Sequence, residues 1–223
     1  MMKILNTIHE DYHVHSLNYS DGLNTIDEIV QYAETVGLKK IVMTDHSQLA
    51  IEKSNFGKKN PRSLIKRRIN VYNDVEVLFG VEADIIDEEW NCCFDIQGIE
   101  PDFCVLSCHW GIYEGRLENI TQAYINAIHK YHDKIKCIGH ICKKNTSKYL
   151  DVDAVAKVLN QYQIPIELNC CNLYTGKTDK EKLDRILPMI EAWIYINSDA
   201  HTLHELTLKH IGFDYLKQKG FLS

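Results

Sequence analysis

The sequence predicts an α/β protein built around a parallel β-sheet. Seven short apolar runs rich in β-branched residues recur along its 223 residues, and amphipathic patterns of helical spacing lie between most of them. This alternation is compatible with a closed barrel and with an open, doubly wound sheet. No linker rich in proline, glycine or serine interrupts the pattern, so we expect one domain over residues 1–223.

The strand candidates occur along the whole chain. They are Tyr12–His15, Lys40–Thr44, Glu76–Val81, Phe103–Ser107, Lys136–Gly139, Ile164–Leu168 and Trp193–Asn197. Two stretches between them, Ser47–Asn60 and Asp84–Glu100, show no regular periodicity. We therefore expect these two stretches to be long loops.

Capping residues mark the starts of several predicted helices. Thr25 and Glu28 form a capping box for a helix that ends at Gly37, and Asn60–Pro61 places proline in a first helical turn. A second capping pattern occurs at Thr178–Glu181. Further helices are predicted at residues 119–131, 151–161 and 203–219.

The composition excludes several classes of protein. Apolar residues make up 45% and charged residues 25% of the chain, as in folded globular proteins and unlike disordered chains. No apolar run reaches the length of a membrane span, and the N-terminus becomes charged too early for a signal peptide, so we expect a cytoplasmic protein. The net charge of −6 argues against nucleic acid as a partner. The eight cysteines include no Cys-x-x-Cys and are expected to be reduced.

Histidine is unusually frequent, with 11 among 223 residues. Potential metal ligands stand where six of the seven predicted strands end, and they are His13, His15, His46, Glu82, His109, His140, Asp199 and His201. In a parallel α/β barrel the carboxyl ends of all strands meet at one mouth. Converging carboxylates and imidazoles are costly there without a cation, so the pattern predicts a metal site.

Four motifs carry these residues. They are His13-x-His15 followed by Ser20-Asp21-Gly22, then Thr44-Asp45-His46, Gly139-His140, and Ser198-Asp199-Ala200-His201. Together they resemble the polymerase and histidinol phosphatase (PHP) family of metal-dependent phosphoesterases over nearly the whole chain. The resemblance implies a distorted (βα)7 barrel of the TIM-like type, which agrees with the seven strands counted independently.

The resemblance also implies two or three divalent metal ions. The implied ligand sets are His13, His15, Glu82 and Asp199 for the first ion; Glu82, His109 and His140 for the second; and Asp21, His46 and His201 for the third. Imidazoles and carboxylates without thiolates suit zinc, iron or manganese.

The implied reaction is hydrolysis of a small phosphomonoester by a hydroxide that bridges two metals. Asp199 is expected to orient the water or accept its proton, and His201 to assist protonation of the leaving group. L-Histidinol phosphate, an intermediate of histidine biosynthesis, is the candidate substrate. Family members of that specificity carry phosphate-binding arginines where this chain has lysines, so Lys143, Lys144 and Lys177 are the substrate-binding candidates.

Three alternatives stay open. A phosphodiesterase or exonuclease is conceivable because PHP domains also occur attached to DNA polymerases, although the negative charge argues against it. An inactive metal-binding scaffold is a second, although every ligand position holds a competent residue. An amidohydrolase would require a lysine or an equivalent bridging ligand where His109 stands. The sequence predicts no particular oligomeric state.

Overall fold

Strands and helices alternate along the chain, of which the computed structural model describes residues 2–54 and 69–222. The strands are Glu10–Val14 (β1), Lys40–Met43 (β2), Glu76–Ile85 (β3), Cys92–Cys93 (β4), Phe103–Ser107 (β5), Cys137–Ile138 (β6), Ile166–Asn169 (β7) and Ile194–Asn197 (β8). The α-helices are Ile26–Thr35 (α1), Gln48–Lys53 (α2), Ile120–Tyr131 (α3), Lys144–Ser147 (α4), Val152–Tyr162 (α5), Cys170–Tyr174 (α6), Lys180–Ile186 (α7) and Lys209–Gln218 (α8). Short 3₁₀ helices lie at Leu117–Asn119, Leu187–Met189 and His204–Thr207.

The strands form a distorted barrel. Their order is β1-β2-β3-β5-β6-β7-β8, every neighbouring pair is parallel, and β4 pairs with β3 in the antiparallel sense. Residues after β8 close the barrel against β1, because the Asp199 amide donates to the His13 carbonyl at 2.9 Å and the His15 amide donates to the Ala200 carbonyl at 2.8 Å. The predicted (βα)7 architecture is therefore confirmed.

Hydrophobic residues pack on both sides of the barrel wall. Helices α1, α3 and α5 bury apolar faces against the strands, and the predicted capping box between Thr25 and Glu28 starts α1. A separate cluster consists of Val42, Phe103, Val105 and Cys137, with Tyr12, Leu78 and Tyr195 packed against it. Because its members come from strands and from no helix, this cluster fills the interior of the barrel below the mouth.

Two predicted loops contain regular structure. Ser47 caps helix α2 by accepting a hydrogen bond from the Ala50 amide, so Ser47–Asn60 is not a loop throughout. Within Asp84–Glu100, strand β3 continues to Ile85 and pairs with β4. Both predictions were wrong because a six-residue helix and a two-residue strand are too short to show a period.

The predicted helix ends needed smaller corrections. Asp179, not Thr178, caps α7, and Thr178 instead forms a β-bridge with Lys143. The predicted helix over residues 203–219 is divided into a 3₁₀ turn and α8. The helix expected to begin at Asn60–Pro61 lies outside the described residues.

Two further expectations concern the chain as a whole. Among residues 2–54 and 69–222, no helix has both the length and the hydropathy that a membrane span requires. All eight cysteines are free thiols, and six of them are buried.

Candidate metal centre

The predicted ligands converge at the barrel mouth, around a cavity of about 510 Å³. Seven of the nine line this cavity: Asp21, His46, Glu82, His109, His140, Asp199 and His201. The other two, His13 and His15, are fully buried next to them. Strand geometry explains the convergence, since the carboxyl ends of parallel barrel strands face the same side.

His13 and His15 form the innermost pair. They project from the end of β1, where the pairing with β2 shifts register, and their Nε2 atoms lie 3.1 Å apart. Asp199 Oδ1 lies 3.5 Å from His13 Nε2 and 3.1 Å from His15 Nε2. Donor atoms of these three residues all lie within 4.8 Å of one another, a spacing that a single ion can span.

Glu82, at the mouth end of β3, is the hub of the cluster. Its two carboxylate oxygens contact five imidazoles. Oε1 lies 2.8 Å from His140 Nε2, 3.2 Å from His109 Nε2 and 3.5 Å from His13 Nε2. Oε2 lies 3.0 Å from His46 Nδ1 and 3.5 Å from His15 Nε2. A carboxylate whose two oxygens face different imidazoles is suited to bridge two cations.

A third group forms around Asp21 at the outer edge. Asp21 Oδ1 lies 3.4 Å from His46 Nε2 and 3.3 Å from His201 Nε2. The adjacent Gly22 packs so closely that a Cβ there would lie 2.3 Å from the His15 carbonyl oxygen. Glycine at this position therefore lets the loop after β1 bring Asp21 to the mouth.

The groupings differ in part from the expected ligand sets. His46 joins Glu82 and His109 in one group within 4.8 Å as well as Asp21 and His201 in another. His140, expected with Glu82 and His109, belongs to none of the groups found among the described residues, although its Nε2 contacts Glu82.

Backbone strain accompanies two of these residues. His140 has a φ of 22° and Asp199 a φ of 59°, values that non-glycine residues rarely adopt. Such conformations cost about 1–3 kcal/mol each and persist where the surrounding structure enforces them. Each of them stands two positions after a strand, where the chain turns at the mouth.

Burial and neighbouring charges separate the pKa values of the cluster. Burial opposes protonation of His13, yet the carboxylates of Glu167, Asp199 and Glu82 raise its pKa well above the usual value. At His15 burial dominates and, with neighbouring imidazoles, lowers the pKa to about 3. Burial also opposes ionisation of Glu82 and Asp199, but the surrounding histidines hold the pKa of both well below its usual range.

These residues fit a divalent cation. The donors are nitrogen and oxygen atoms, and no thiol belongs to any of the groups found in the described part of the chain. Asp21 Oδ1 and Asp199 Oδ1 are buried and accept no hydrogen bond. Buried carboxylate oxygens without donors are costly unless a cation satisfies them.

Comparison with known proteins agrees with this geometry. A model of the PHP domain matches residues 11–171. The chain belongs to the PHP domain family. Its curated relatives include a "Probable phosphatase" from Caldicellulosiruptor saccharolyticus, 29% identical over 85% of this chain and 78% of the relative, and another from Thermoanaerobacter sp. (strain X514), 28% identical over 94% and 86%.

Solved structures share the fold of this PHP protein. Histidinol phosphate phosphatase from Lactococcus lactis subsp. lactis, in complex with zinc, L-histidinol and phosphate, aligns with a TM-score of 0.55 at 15% identity and covers 96% of this chain and 94% of its own. A protein from Listeria monocytogenes aligns with a TM-score of 0.58 at 13% identity, and the alignment covers 88% of this chain and 96% of the Listeria chain. At these identities the likeness concerns the fold.

The three candidate lysines of the PHP protein are not equivalent. Lys143 and Lys177 line the cavity, whereas Lys144 is exposed and absent from its lining. The Lys144 amide donates to the Lys177 carbonyl at 2.9 Å, and Lys143 forms a β-bridge with Thr178. Lys144 therefore joins the two loops through its backbone, whereas Lys143 and Lys177 line the cavity.

Sequence reasoning missed the residues that hold the histidines. Glu167 Oε1 lies 2.7 Å from His13 Nδ1, and Asp84 Oδ1 lies 2.6 Å from His109 Nδ1. Both carboxylates are buried. Asp84 follows Glu82 by two residues on β3, so period-two alternation could have indicated it. Nothing near Glu167 in the sequence indicates its histidine partner, which lies 154 positions away.

Proposed function

We propose that this PHP protein is a metal-dependent phosphatase that hydrolyses a small phosphomonoester. The observation that carries the proposal is the convergence of histidines and carboxylates in three overlapping groups at one barrel mouth. Its curated relatives named as probable phosphatases support the reaction class. The zinc, L-histidinol and phosphate in the Lactococcus lactis complex support L-histidinol phosphate as the first substrate to test.

The proposed centre takes two or three divalent cations, with zinc, iron or manganese as the candidate ions. The proposed ligands are His13, His15, Asp21, His46, Glu82, His109, His140, Asp199 and His201. Divalent cations held there lower the pKa of water and neutralise negative charge on phosphoryl oxygens. The protein places these ligands before any substrate arrives, because most of them are buried and fixed by hydrogen bonds.

Asp199 orients the attacking water. Its Oδ2 accepts a hydrogen bond from the Asn169 side-chain nitrogen, Nδ2, at 3.0 Å, which leaves Oδ1 directed toward the centre. The pKa of Asp199 is held well below its usual range by His13 and other imidazoles, against the effect of burial. So acidic a carboxylate is a weak base, and accepting a hydrogen bond from water is therefore the better assignment than removing its proton.

His201 has one ring nitrogen to offer the reaction. Its Nδ1 lies 3.0 Å from the Asp199 carbonyl oxygen, to which it donates, while Nε2 faces Asp21 Oδ1 at 3.3 Å. Ligation of a third ion and protonation of the leaving group therefore compete for the same atom. With two ions bound, Nε2 can carry the proton that the leaving oxygen receives.

Lys143, Lys177 and Asn172 provide the anion-binding wall of the cavity. The Asn172 side-chain nitrogen is buried and donates no hydrogen bond within the described structure. A phosphate oxygen would satisfy this donor, and the two lysines would balance the phosphate charge as point charges. The cavity volume of about 510 Å³ suits a small phosphorylated metabolite.

A single assay tests the proposal. The Mn²⁺-loaded protein is given L-histidinol phosphate, an aryl phosphomonoester and a phosphodiester side by side, with chelated protein as the control. Selective hydrolysis of L-histidinol phosphate supports both the reaction and the substrate. Slow turnover of every monoester keeps the reaction and rejects the substrate, and preference for the diester rejects a phosphomonoesterase.

A further inference from the structure

Strand β7 contributes no proposed metal ligand, yet two of its side chains point at the centre. Glu167 and Asn169 stand two residues apart, so they project to the same face of the strand. Both are buried, with exposed fractions of 2% and 5%. Their polar atoms must therefore be satisfied by the surrounding protein.

Glu167 accepts four hydrogen bonds, from β1, from β8, from the loop after β6 and from its own strand. Oε1 accepts from His13 Nδ1 at 2.7 Å and from Asn197 Nδ2 at 3.0 Å. Oε2 accepts from the His140 backbone amide at 3.0 Å and from Asn169 Nδ2 at 2.9 Å. Since every partner is a donor, the site requires two accepting oxygens, which a carboxylate has and an amide has not.

These bonds act on the inner group of ligands. With Nδ1 of His13 committed to Glu167, its Nε2 is the atom directed at His15 and Asp199. Asn169 Nδ2 contacts Glu167 and also donates to Asp199 Oδ2 at 3.0 Å. Through one carboxylate, β7 therefore fixes His13 directly and Asp199 by way of Asn169.

We propose that Glu167 is a positioning residue that prearranges His13 and Asp199 for one divalent cation. The inference rests on the proposed function in so far as it treats the cluster as a metal centre. Among the described residues, no hydrogen bond of Glu167 reaches Asp21, His46 or His201, and its bond to His140 goes to the backbone amide. The only proposed ligand side chain that it contacts directly is therefore that of His13, in the inner site. Partners of histidine ligands typically alter metal affinity about 10- to 100-fold.

The decisive experiment compares metal binding by the wild-type chain and Glu167→Gln. Chelator-stripped protein is titrated with Zn²⁺ by calorimetry, and bound metal is counted by elemental analysis. We expect the variant to lose about 10- to 100-fold in affinity at one site while the remaining sites keep wild-type affinity. The matched control is Glu100→Gln, which removes only an ion pair with Lys134 on the surface.

Glu167→Asp keeps the proposal testable if Glu167→Gln does not fold. Aspartate retains both accepting oxygens but reaches less far, so we expect an intermediate loss at the same site. Equal loss at all sites would indicate a general structural role and overturn the inference, as would unchanged affinity in folded Glu167→Gln. Wild-type protein that binds metal without hydrolysing any phosphate ester would overturn the proposed function alone.

Discussion

His13 and His15 face each other through their Nε2 atoms at 3.1 Å, and neither side chain is exposed to solvent. Their Nδ1 atoms are already engaged, by Glu167 at 2.7 Å and by Ser20 Oγ at 3.3 Å. Two ring nitrogens this close in a buried environment repel each other, unless a proton on one of them or a nearby cation offsets the repulsion. The protein is therefore expected to depend on metal for part of its stability.

Chelation tests that dependence. A ligand present at 100 times its Kd stabilises the folded state by about 2.7 kcal/mol. For a chain of this size, losing about 2.7 kcal/mol of stabilisation corresponds to a fall in Tm of about 5–10 °C when metal is removed. Thermal unfolding with and without chelator measures the fall, and added Mn²⁺ or Zn²⁺ should restore the original Tm. An unchanged Tm would contradict a buried metal centre.

His109 makes the stability of the metal-free protein dependent on pH. Burial disfavours its charged form, but Glu82 and Asp84 outweigh burial and raise the pKa to about 9. Because the folded pKa exceeds the unfolded value, the contribution of His109 is complete below about pH 6.5 and is lost as the pH rises through 9. That loss approaches about 3 kcal/mol.

Urea unfolding in the presence of chelator at pH 6, 7.5 and 9 measures this effect. We expect the free energy of unfolding of His109→Gln to fall less steeply over this range than that of the wild-type chain. The difference between the two slopes reports His109 together with its coupling to the other histidines through Glu82. Parallel slopes would show that His109 is not charged in the metal-free protein.

The lysines allow a comparison between adjacent residues. Lys143→Ala and Lys177→Ala are expected to raise KM for the phosphomonoester about 10-fold, because each removes one positive charge that faces the substrate phosphate. Lys144→Ala is the matched control, since its side chain does not line the cavity. Steady-state kinetics of the three variants measures the change in KM. Equal changes in Lys143→Ala and Lys144→Ala would indicate that the lysines act through their general electrostatic field and not as a binding wall.

Asp199→Asn tests the orientation of water. The side-chain amide of the variant carries no negative charge and holds a cation less well than a carboxylate. Its NH₂ group replaces one carboxylate oxygen, so it faces either the Asn169 side-chain donor or the centre. We expect kcat to fall about 10²- to 10⁴-fold. Metal content, measured on the same samples, separates loss of the ion from loss of orientation. The control is Asp133→Asn, an exposed position far from the mouth; full turnover with full metal content in Asp199→Asn would reject the assignment.

Gly22→Ala probes the loop that carries Asp21. The added Cβ would lie 2.3 Å from the His15 carbonyl oxygen, so the loop must move away. We expect a loss of about 1–3 kcal/mol in the free energy of unfolding and weaker metal binding at the outer group. For comparison, a Cβ at Gly111 would meet nothing within 4 Å, and Gly111→Ala should leave the free energy of unfolding nearly unchanged.

Local patterns were sufficient to predict the seven parallel strands and the convergence of the candidate ligands at one mouth. Each of these strands is a short apolar run, and most candidate ligands stand at or just after its carboxyl end, so barrel topology brings them together. Asp21 is the exception, because the loop after β1 carries it to the mouth. The left-handed backbone of His140 and Asp199 could not be predicted, because local preference disfavours it and contacts distant in sequence impose it. For the same reason Lys143 and Lys144 looked equivalent in the sequence: the docking of one loop on the other decides which side chain faces the cavity.

Closure of the barrel joins residues that lie almost at opposite ends of the described chain. The Asp199 amide bonds to the His13 carbonyl across 186 positions, and both side chains serve the inner group. During synthesis on the ribosome, the first six parallel strands can assemble before Asp199 and His201 emerge from the exit tunnel. The inner and outer groups of ligands are completed only after that, so tight metal uptake should mark the last stage of maturation and report that the entire barrel has formed.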